Sequence, residues 1–505
     1  MTQLDGTPYW QESAPMSRYP ALDRNIKVDV AIIGAGITGL TTAYLLKRAG
    51  RTVAVIDRGR CGGVDTGHTT AHVTCVTDLD LSALVKHFGQ DHAQAAWDAG
   101  LAALAEIDSI VANEDIDCHW ERVPGYKFAA LTAQADEEGP RLQKEAALAS
   151  ELGFDARFLD AVPFFNRPGV EFGGQARFHP RKYLTALAAL VNGKGSHVFE
   201  HTESEEVVGD PLSVRAAGHT IGCDYVVIAT HTPLQGKTNI ASATLFQTKL
   251  SLYSSYVLGG RVPKGTIPDA LYWDTADPYH YLRLDPRRDY DYAIFGGQDH
   301  KTGQAADTET CYSALERTLT DILPQIEITH RWSGQVVETH DGLPFIGETS
   351  SRQFAATGYA GNGMTFGTLA GLMARDAALG RPNPWAELFD TGRTKVTAGA
   401  WDYLKENKDY PYYLIRDRFA GADGRSLREL GRGKGKILEL KGKRVAAWRS
   451  DAGTVTLLSP ICTHMGCVVD WNDAESTWDC PCHGSRFKPN GDVLAGPAES
   501  PLGKA

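Results

Sequence analysis

The stretch "KVDVAIIGAGITGLTTAYLLKRAGRTVAVIDRG", Lys27 to Gly59, leaves the chain around it few choices of fold. Val28, Val30, Ile32 and Ile33 form an apolar run rich in β-branched side chains, which favour strands. Gly34, Gly36 and Gly39 follow directly as G-x-G-x-x-G. A helical pattern then runs from Leu40 to Arg48 and closes at Gly50, and "TVAVID" is a second apolar strand ending in Asp57. The spacing gives each glycine a task. Gly34 permits the tight turn, Gly36 lets a pyrophosphate approach the backbone, and Gly39 lets the helix lie on the strand. The helix start at Ile37 and Thr38 offers free N–H groups and a positive dipole end to phosphates. Asp57, 23 residues after Gly34 and followed by Arg58, is placed to accept hydrogen bonds from a ribose. Strand, turn, helix and acid together predict a dinucleotide site.

The fingerprint alone does not separate FAD from NAD, and more distant stretches bear on that choice. "CDYVVIATHTP", Cys223 to Pro233, reads as a buried strand with a small-residue end. Its Ala229-Thr230-His231 resembles the Ala-Thr-Gly type of strand end found in FAD-linked Rossmann proteins. In Asp341 to Gly380, the glycines Gly358, Gly361 and Gly363 punctuate a loop, and an apolar helix pattern starts at Thr365. A loop that feeds a helix N-terminus is again tolerant of anions. Together with "GHTTAHVT" (Gly67 to Thr74), "ARFHPRKY" (Ala176 to Tyr183) and "GYAGNGMTFG", these residues resemble the D-amino acid oxidase superfamily over roughly residues 20 to 390. Glycine oxidase and sarcosine oxidase belong to that superfamily.

The resemblance implies FAD. It also implies an α/β Rossmann-type domain with an antiparallel-sheet substrate subdomain. By resemblance, Gly361, Asn362, Gly363 and Met364 lie against the flavin pyrimidine. Thr69 and Thr70 lie near the pyrophosphate and isoalloxazine, and Val207 or Val208 meets the adenine. His72 is of a type that carries a covalent flavin bond in some relatives, but its "TTAH" setting matches none of them closely, so non-covalent FAD is expected.

Size and charge narrow the partners. A chain of 505 residues allows two or three domains. Its formal net charge of −11 argues against a broad nucleic-acid surface, which needs clustered Lys and Arg. Val30 to Leu46 is apolar but too short to span a bilayer, and Gln353 to Ala374 is diluted by Gly, Thr and Asn, so no transmembrane segment is expected. The N-terminal stretch lacks a basic region followed by an apolar one. A cytoplasmic location is expected. Cys61, Cys75, Cys118, Cys223 and Cys311 have no metal-like spacing and read as small buried residues.

The remaining four cysteines fall in "CTHMGCVVDWNDAESTWDCPCHGSRF", Cys462 to Phe487. Cys462-x-His464 and Cys480-x-x-His483 make two arms. Two Cys and two His suit tetrahedral zinc, but zinc fingers group like ligands on one arm. Here each arm carries one of each. A [2Fe–2S] centre with two thiolates on one iron and two imidazoles on the other uses that arrangement, each arm serving both irons. Residues from about 425 to 505 resemble the Rieske proteins of respiratory cytochrome bc complexes. The resemblance implies Cys462, His464, Cys480 and His483 as ligands and a disulfide between Cys467 and Cys482. It also implies a Ser485 hydroxyl that donates to a bridging sulfide, and a shielding loop in Gly496 to Leu502. Phe487 departs from the respiratory pattern, which has tyrosine there. Loss of one donor near a ligand sulfur lowers the potential.

The expected layout is an oxidoreductase domain over 1–395, a connector over 396–425 and a small all-β Rieske domain over 426–505. "GRGKGKILEL", from Gly431, is followed by a β-like run rather than a helix, so a second, NADH-binding site is not expected. A Rieske oxygenase is disfavoured too, because no His pair with a carboxylate stands out as a mononuclear iron site. The expected activity is oxidation of an amine or amino acid by hydride transfer to FAD. Electrons would then leave singly through the Rieske cluster to an external carrier or quinone. Two alternatives remain open. Electrons enter through the cluster and drive a reductive or oxygen-using flavin reaction, or the cluster is a redox sensor that controls partner binding. The candidate substrate residues are Tyr256, Arg283, His300 and Lys301. An Arg beside a Tyr can clamp a carboxylate; the competing reading of Arg283 is an ordinary surface residue.

Overall fold

Val30–Ile33 is buried at all four positions, and it lies inside a six-stranded sheet. The order across that sheet is Phe345–Ser350, Gln353–Thr357, Tyr225–Ile228, Val30–Ile33, Val53–Ile56, His197–Phe199. All neighbours are parallel except the first pair. Parallel strands covered on both faces read as unbroken apolar runs, and "VAII", "VAVI" and "YVVI" do so. The computed structural model describes residues 6–131, 135–232, 249–305, 307–393, 422–464, 466–498 and 500–505.

The fingerprint glycines are required by contact. Gly34 has φ +105°, and a Cβ there would lie 2.3 Å from the Ala229 carbonyl oxygen. A Cβ at Gly39 would lie 1.8 Å from the Gly34 oxygen, so the helix Ile37–Arg48 rests directly on the turn. A second helix, Gly363–Ala378, crosses the first through Gly367 and Gly371, one turn apart on one face. Side chains at those positions would come within 2.6 Å of Ile37 and 2.8 Å of Thr41.

A nine-stranded sheet faces this layer. Its long strands are Leu250–Pro263, Tyr290–Lys301 and Glu327–Thr339. Its pairs are antiparallel apart from Leu271–Asp274 on Glu121–Phe128. The N-terminal segment pins this sheet. The Tyr9 hydroxyl donates to Asp285 at 2.6 Å, and Trp10 Nε1 donates to the Thr69 carbonyl at 2.6 Å. A small sheet holds Ser204–Gly209, Leu212–Ala216 and His219–Gly222 beside Ile26–Lys27.

The C-terminal region is all β. It has one sheet of Gly435–Leu440, Lys443–Arg449 and Val455–Leu458, and another of Asp470–Asn472, Thr477–Asp479, Arg486–Phe487 and Val493–Ala495. Its own apolar core includes Ile437, Leu458, Trp478 and Phe487. The expected domain end at 395 and most of the connector 396–425 lie outside the described residues. Among the described residues no helix is long and apolar enough to cross a membrane.

Candidate active site

In open α/β sheets ligands bind beyond the carboxyl ends of the strands. A cavity of about 1120 Å³ lies there. Gly34, Gly36, Ile37 and Thr38 reach it after Ile33, and Asp57 and Arg58 reach it after Ile56. Ala229 and Thr230 follow Ile228 into the wall; Gly358, Gly361, Asn362, Gly363 and Met364 follow Thr357. Thr69 and Thr70 close the side between them. Asp57 accepts from Ala35 N and Gly59 N, both at 2.8 Å. Burial pushes its carboxyl up, and these two N–H groups pull it back. Neither helix start, at Gly36 or at Asn362, is capped by its own side chain. The cavity therefore meets two helix N-termini and an acid at its far end.

Three expected cofactor contacts differ. Gly39 is under the helix and does not line the cavity. Val207 and Val208 do not reach it either: the start of their strand, Ser204 and Glu205, lines the cavity, and further along Val207 turns into an apolar cluster. The residues at that end are Thr202, Glu203 and Ser204, which follow the carboxyl end of His197–Phe199. The strand-end rule, applied to "HVFEHTES", would have found them.

The opposite wall is the nine-stranded sheet. Ser255, Tyr279, Tyr281 and Asp299 face the cavity, and the Ser255 and Tyr281 hydroxyls are 2.5 Å apart. None of the four expected substrate residues does so. Tyr256 is fully buried on the other face, where its hydroxyl meets His300 Nε2 at 2.9 Å. Lys301 pairs with Tyr253 across the ladder, outside the wall. Arg283 is no surface residue; it is fully buried and donates to the Ala71 and Phe178 carbonyls at 2.7 and 3.0 Å. Burial pulls its pKa down to about 10. It holds the Thr69–His72 loop from behind and does not reach a substrate. For His300 the cause is local. Between the pairs Ser254–His300 and Tyr256–Gly297, the single residue Ser255 faces two residues, Gln298 and Asp299, and Gly297 and Gln298 have φ values of +151° and +61°. A bulge switches the face that later side chains occupy. Asp299 therefore enters the cavity and His300 leaves it.

In the C-terminal region Cys462 and Cys480 are buried with their thiols in contact, and that contact, then burial, raises the Cys480 thiol. The His464 and His483 rings lie 5.0 Å apart. Burial holds their pKa values down, to about 4 and about 3, so both imidazoles are neutral donors. Cys467 and Cys482 are joined in a disulfide, whose sulfurs lie within 4.8 Å of the Cys480 sulfur. Ser485 Oγ accepts from Ala498 N at 3.1 Å, which leaves its own proton to donate. Two adjacent thiols beside two neutral imidazoles are a donor set that suits one iron of each kind.

Residues 29–377 match the family described as FAD dependent oxidoreductase. The chain belongs to that family. Residues 425–505 of this FAD dependent oxidoreductase match the Rieske [2Fe-2S] domain. A Bacillus subtilis protein named as a Rieske 2Fe-2S iron-sulfur protein, YhfW, is 32% identical over 98% of this chain and 96% of its own length. The gamma-glutamylputrescine oxidoreductase of Escherichia coli is 24% identical over 83% of this chain and 99% of its own. Glycine oxidase from Geobacillus kaustophilus shares the fold, with a TM-score of 0.61 at 18% identity over 73% of this chain and 100% of its own. The FAD dependent oxidoreductase therefore binds FAD and carries a [2Fe–2S] cluster in its Rieske domain.

In this FAD dependent oxidoreductase the two parts share a wall. Ala495 to Ala498 and Ser500 line the same cavity as Gly34 and Thr38. Arg58 Nη2 donates to the Leu494 carbonyl at 2.6 Å. Gln335, which also lines the cavity, donates from Nε2 to the Gly484 carbonyl at 2.8 Å. Gly484 lies between His483 and Ser485. On the adjoining strand end, the α-carbon of Gly303 is packed so closely on Cys480 that a Cβ would come within 2.7 Å of its carbonyl carbon.

Proposed function

We propose that this enzyme oxidises an amine or amino acid in the cavity and passes the electrons singly through the Rieske cluster to an external carrier or quinone. FAD, when bound, supplies two-electron hydride acceptance, and the cluster supplies one-electron transfer. In this reading Gly34, Gly36, Ile37, Thr38 and the loop Gly358–Met364 hold the cofactor. Asp57 and Arg58 flank its ribose end. Cys462, His464, Cys480 and His483 hold the cluster, and Ser485 supports it. Residues 1–395 do the oxidation and 426–505 form the outlet, with 396–425 joining them, in the cytoplasm. The substrate class is supported by the oxidoreductase and oxidase relatives named above.

One observation supports electron exchange between the two centres: Gln335 belongs to the cavity wall and bonds the loop between two cluster residues. A cofactor in the cavity and a cluster on that loop are then neighbours with protein packed between them. Anaerobic titration with amines and amino acids tests this reading. The visible flavin absorbance should fall first, and the electron paramagnetic resonance of the reduced cluster should then grow. Reduction by a reduced ferredoxin-type donor, and by no amine or amino acid, would reverse the flow. A partner affinity that follows cluster oxidation, without turnover, would make the protein a sensor.

A further inference from the structure

We propose that the substrate is a cationic amine without a carboxylate, and that the Asp299 carboxylate receives its ammonium group. The inference rests on the oxidation reading above.

The backbone supplies the first argument. If the alternation of Tyr290–Lys301 ran unbroken, Asp299 would share a face with Phe295, which belongs to an apolar cluster. The bulge, in which Gln298 and Asp299 both stand opposite Ser255, turns it into the cavity. Gln298 has φ +61°, a conformation that is unfavourable outside glycine and persists where the surroundings over-determine it. The strain accompanies the placement of one carboxylate.

The second argument is an unmet bond. Asp299 Oδ1 is buried and has no hydrogen-bond partner in the structure. The nearby charged and polar groups do not supply a cation. Ser255 presents a hydroxyl, Asp78 is a second acid, and His280 Nδ1 is engaged with Asp274 at 3.1 Å. Asp78 itself accepts from Gly361 N at 2.8 Å. A buried carboxylate without a counter-charge is strongly unfavourable, so an incoming ammonium would be held firmly.

The cations of the cavity wall are already engaged. Among the described residues lining the cavity, four are Lys or Arg. Lys127 and Arg141 are both tied to Asp80, and Arg60 is tied to Glu200. Arg58 lies at the nucleotide end on the Leu494 carbonyl. Arg283 is committed behind the wall. A substrate carboxylate on the sheet side would meet Asp78 and Asp299 with no guanidinium to clamp it.

The test uses the holoenzyme and two probes of nearly equal shape, tert-butylammonium and pivalate. Neither has an α-hydrogen, so neither can be oxidised. Binding is read by calorimetry and by perturbation of the flavin spectrum. The cation should bind at least about tenfold more tightly than the anion, in line with a charge-assisted bond, and Asp299→Asn should abolish the gap. Equal or tighter binding of pivalate overturns the proposal, as does a gap that survives the substitution. The native comparison stands whether or not the variant folds. Anaerobic flavin reduction by benzylamine against phenylglycine, and by methylamine against glycine, separates the two readings. Faster reduction by the amino acids overturns the amine assignment and leaves the oxidation reading intact. If no compound of either class reduces the flavin, the oxidation reading falls, and the probe binding still decides what Asp299 recognises.

Discussion

On the nucleotide side of the cavity, the fingerprint, Asp57, Ala229 and the Gly358–Met364 loop each follow a strand end by a few positions. On the sheet side, the wall is assembled from strands far apart in sequence, and a one-residue bulge decides which side chains enter it. Gly34 and Asp57 are fixed by their own neighbours. Asp299 and Ser255 are fixed by a register error shared between Leu250–Pro263 and Tyr290–Lys301. A locally determined wall tolerates little change in backbone volume. A wall determined by register can exchange side chains with smaller loss of stability, and its chemistry shifts instead.

The comparison can be broken at several points. Gly39→Val should have the largest effect, because its first side-chain carbon already overlaps the Gly34 oxygen. A loss of about 3 kcal/mol or more is expected, read as a lower denaturation midpoint together with lost flavin. Arg283→Met comes next. It strands the Ala71 and Phe178 carbonyls and should cost about 2–3 kcal/mol, while the preference for cation over anion stays unchanged. A changed preference would return Arg283 to the substrate site.

Asp299→Asn should change stability on the order of 2 kcal/mol, with a pH signature. Burial raises the folded carboxyl to about 7 from an ordinary 3.8. The folded state thus holds this proton more tightly than the unfolded chain. The stability it gives is full below about 4 and is lost as pH rises to about 7. Relative to the variant, the native protein should weaken across that window, in thermal melts at matched pH. Gln335→Leu leaves the Gly484 carbonyl unmet and should cost about 1 kcal/mol. Stopped-flow absorbance should show flavin reduction at the native rate and cluster reduction slowed. The smallest effect is expected from Phe487→Tyr, with the fold unchanged and the cluster's midpoint potential moved upward.

The sequence was readable wherever function depended on neighbours. The G-x-G-x-x-G turn, the Gly358–Met364 loop and the paired Cys/His arms are short motifs whose geometry is set within a few residues. Where it depended on pairing, reading failed by small steps. Resemblance points to Val207 or Val208, while the wall takes Thr202 to Glu205, which run into the start of the same strand. "FGGQDHKTG" reads as a Gly-rich turn that presents His300 and Lys301, and nothing in it reveals the bulge that brings in Asp299 instead. Arg283 was taken for a clamp or a surface charge, and nothing in "YHYLRLD" reveals that Trp10 covers it at 5.3 Å. Tyr9 and Trp10 are not legible as a strap, since their partners Asp285 and Thr69 are distant in sequence.

Arg58 and Leu494 are 436 positions apart, yet their contact closes one edge of the nucleotide end. A ribosome adds roughly 5–20 residues per second, so tens of seconds separate the two as the chain is made. The sheet that carries the fingerprint itself needs Tyr225–Ile228 and Gln353–Thr357, so the nucleotide site is completed well after Arg58 is made. The strand that offers the Leu494 carbonyl arrives later still. In the order of synthesis, this contact is laid on a site whose other walls are already present.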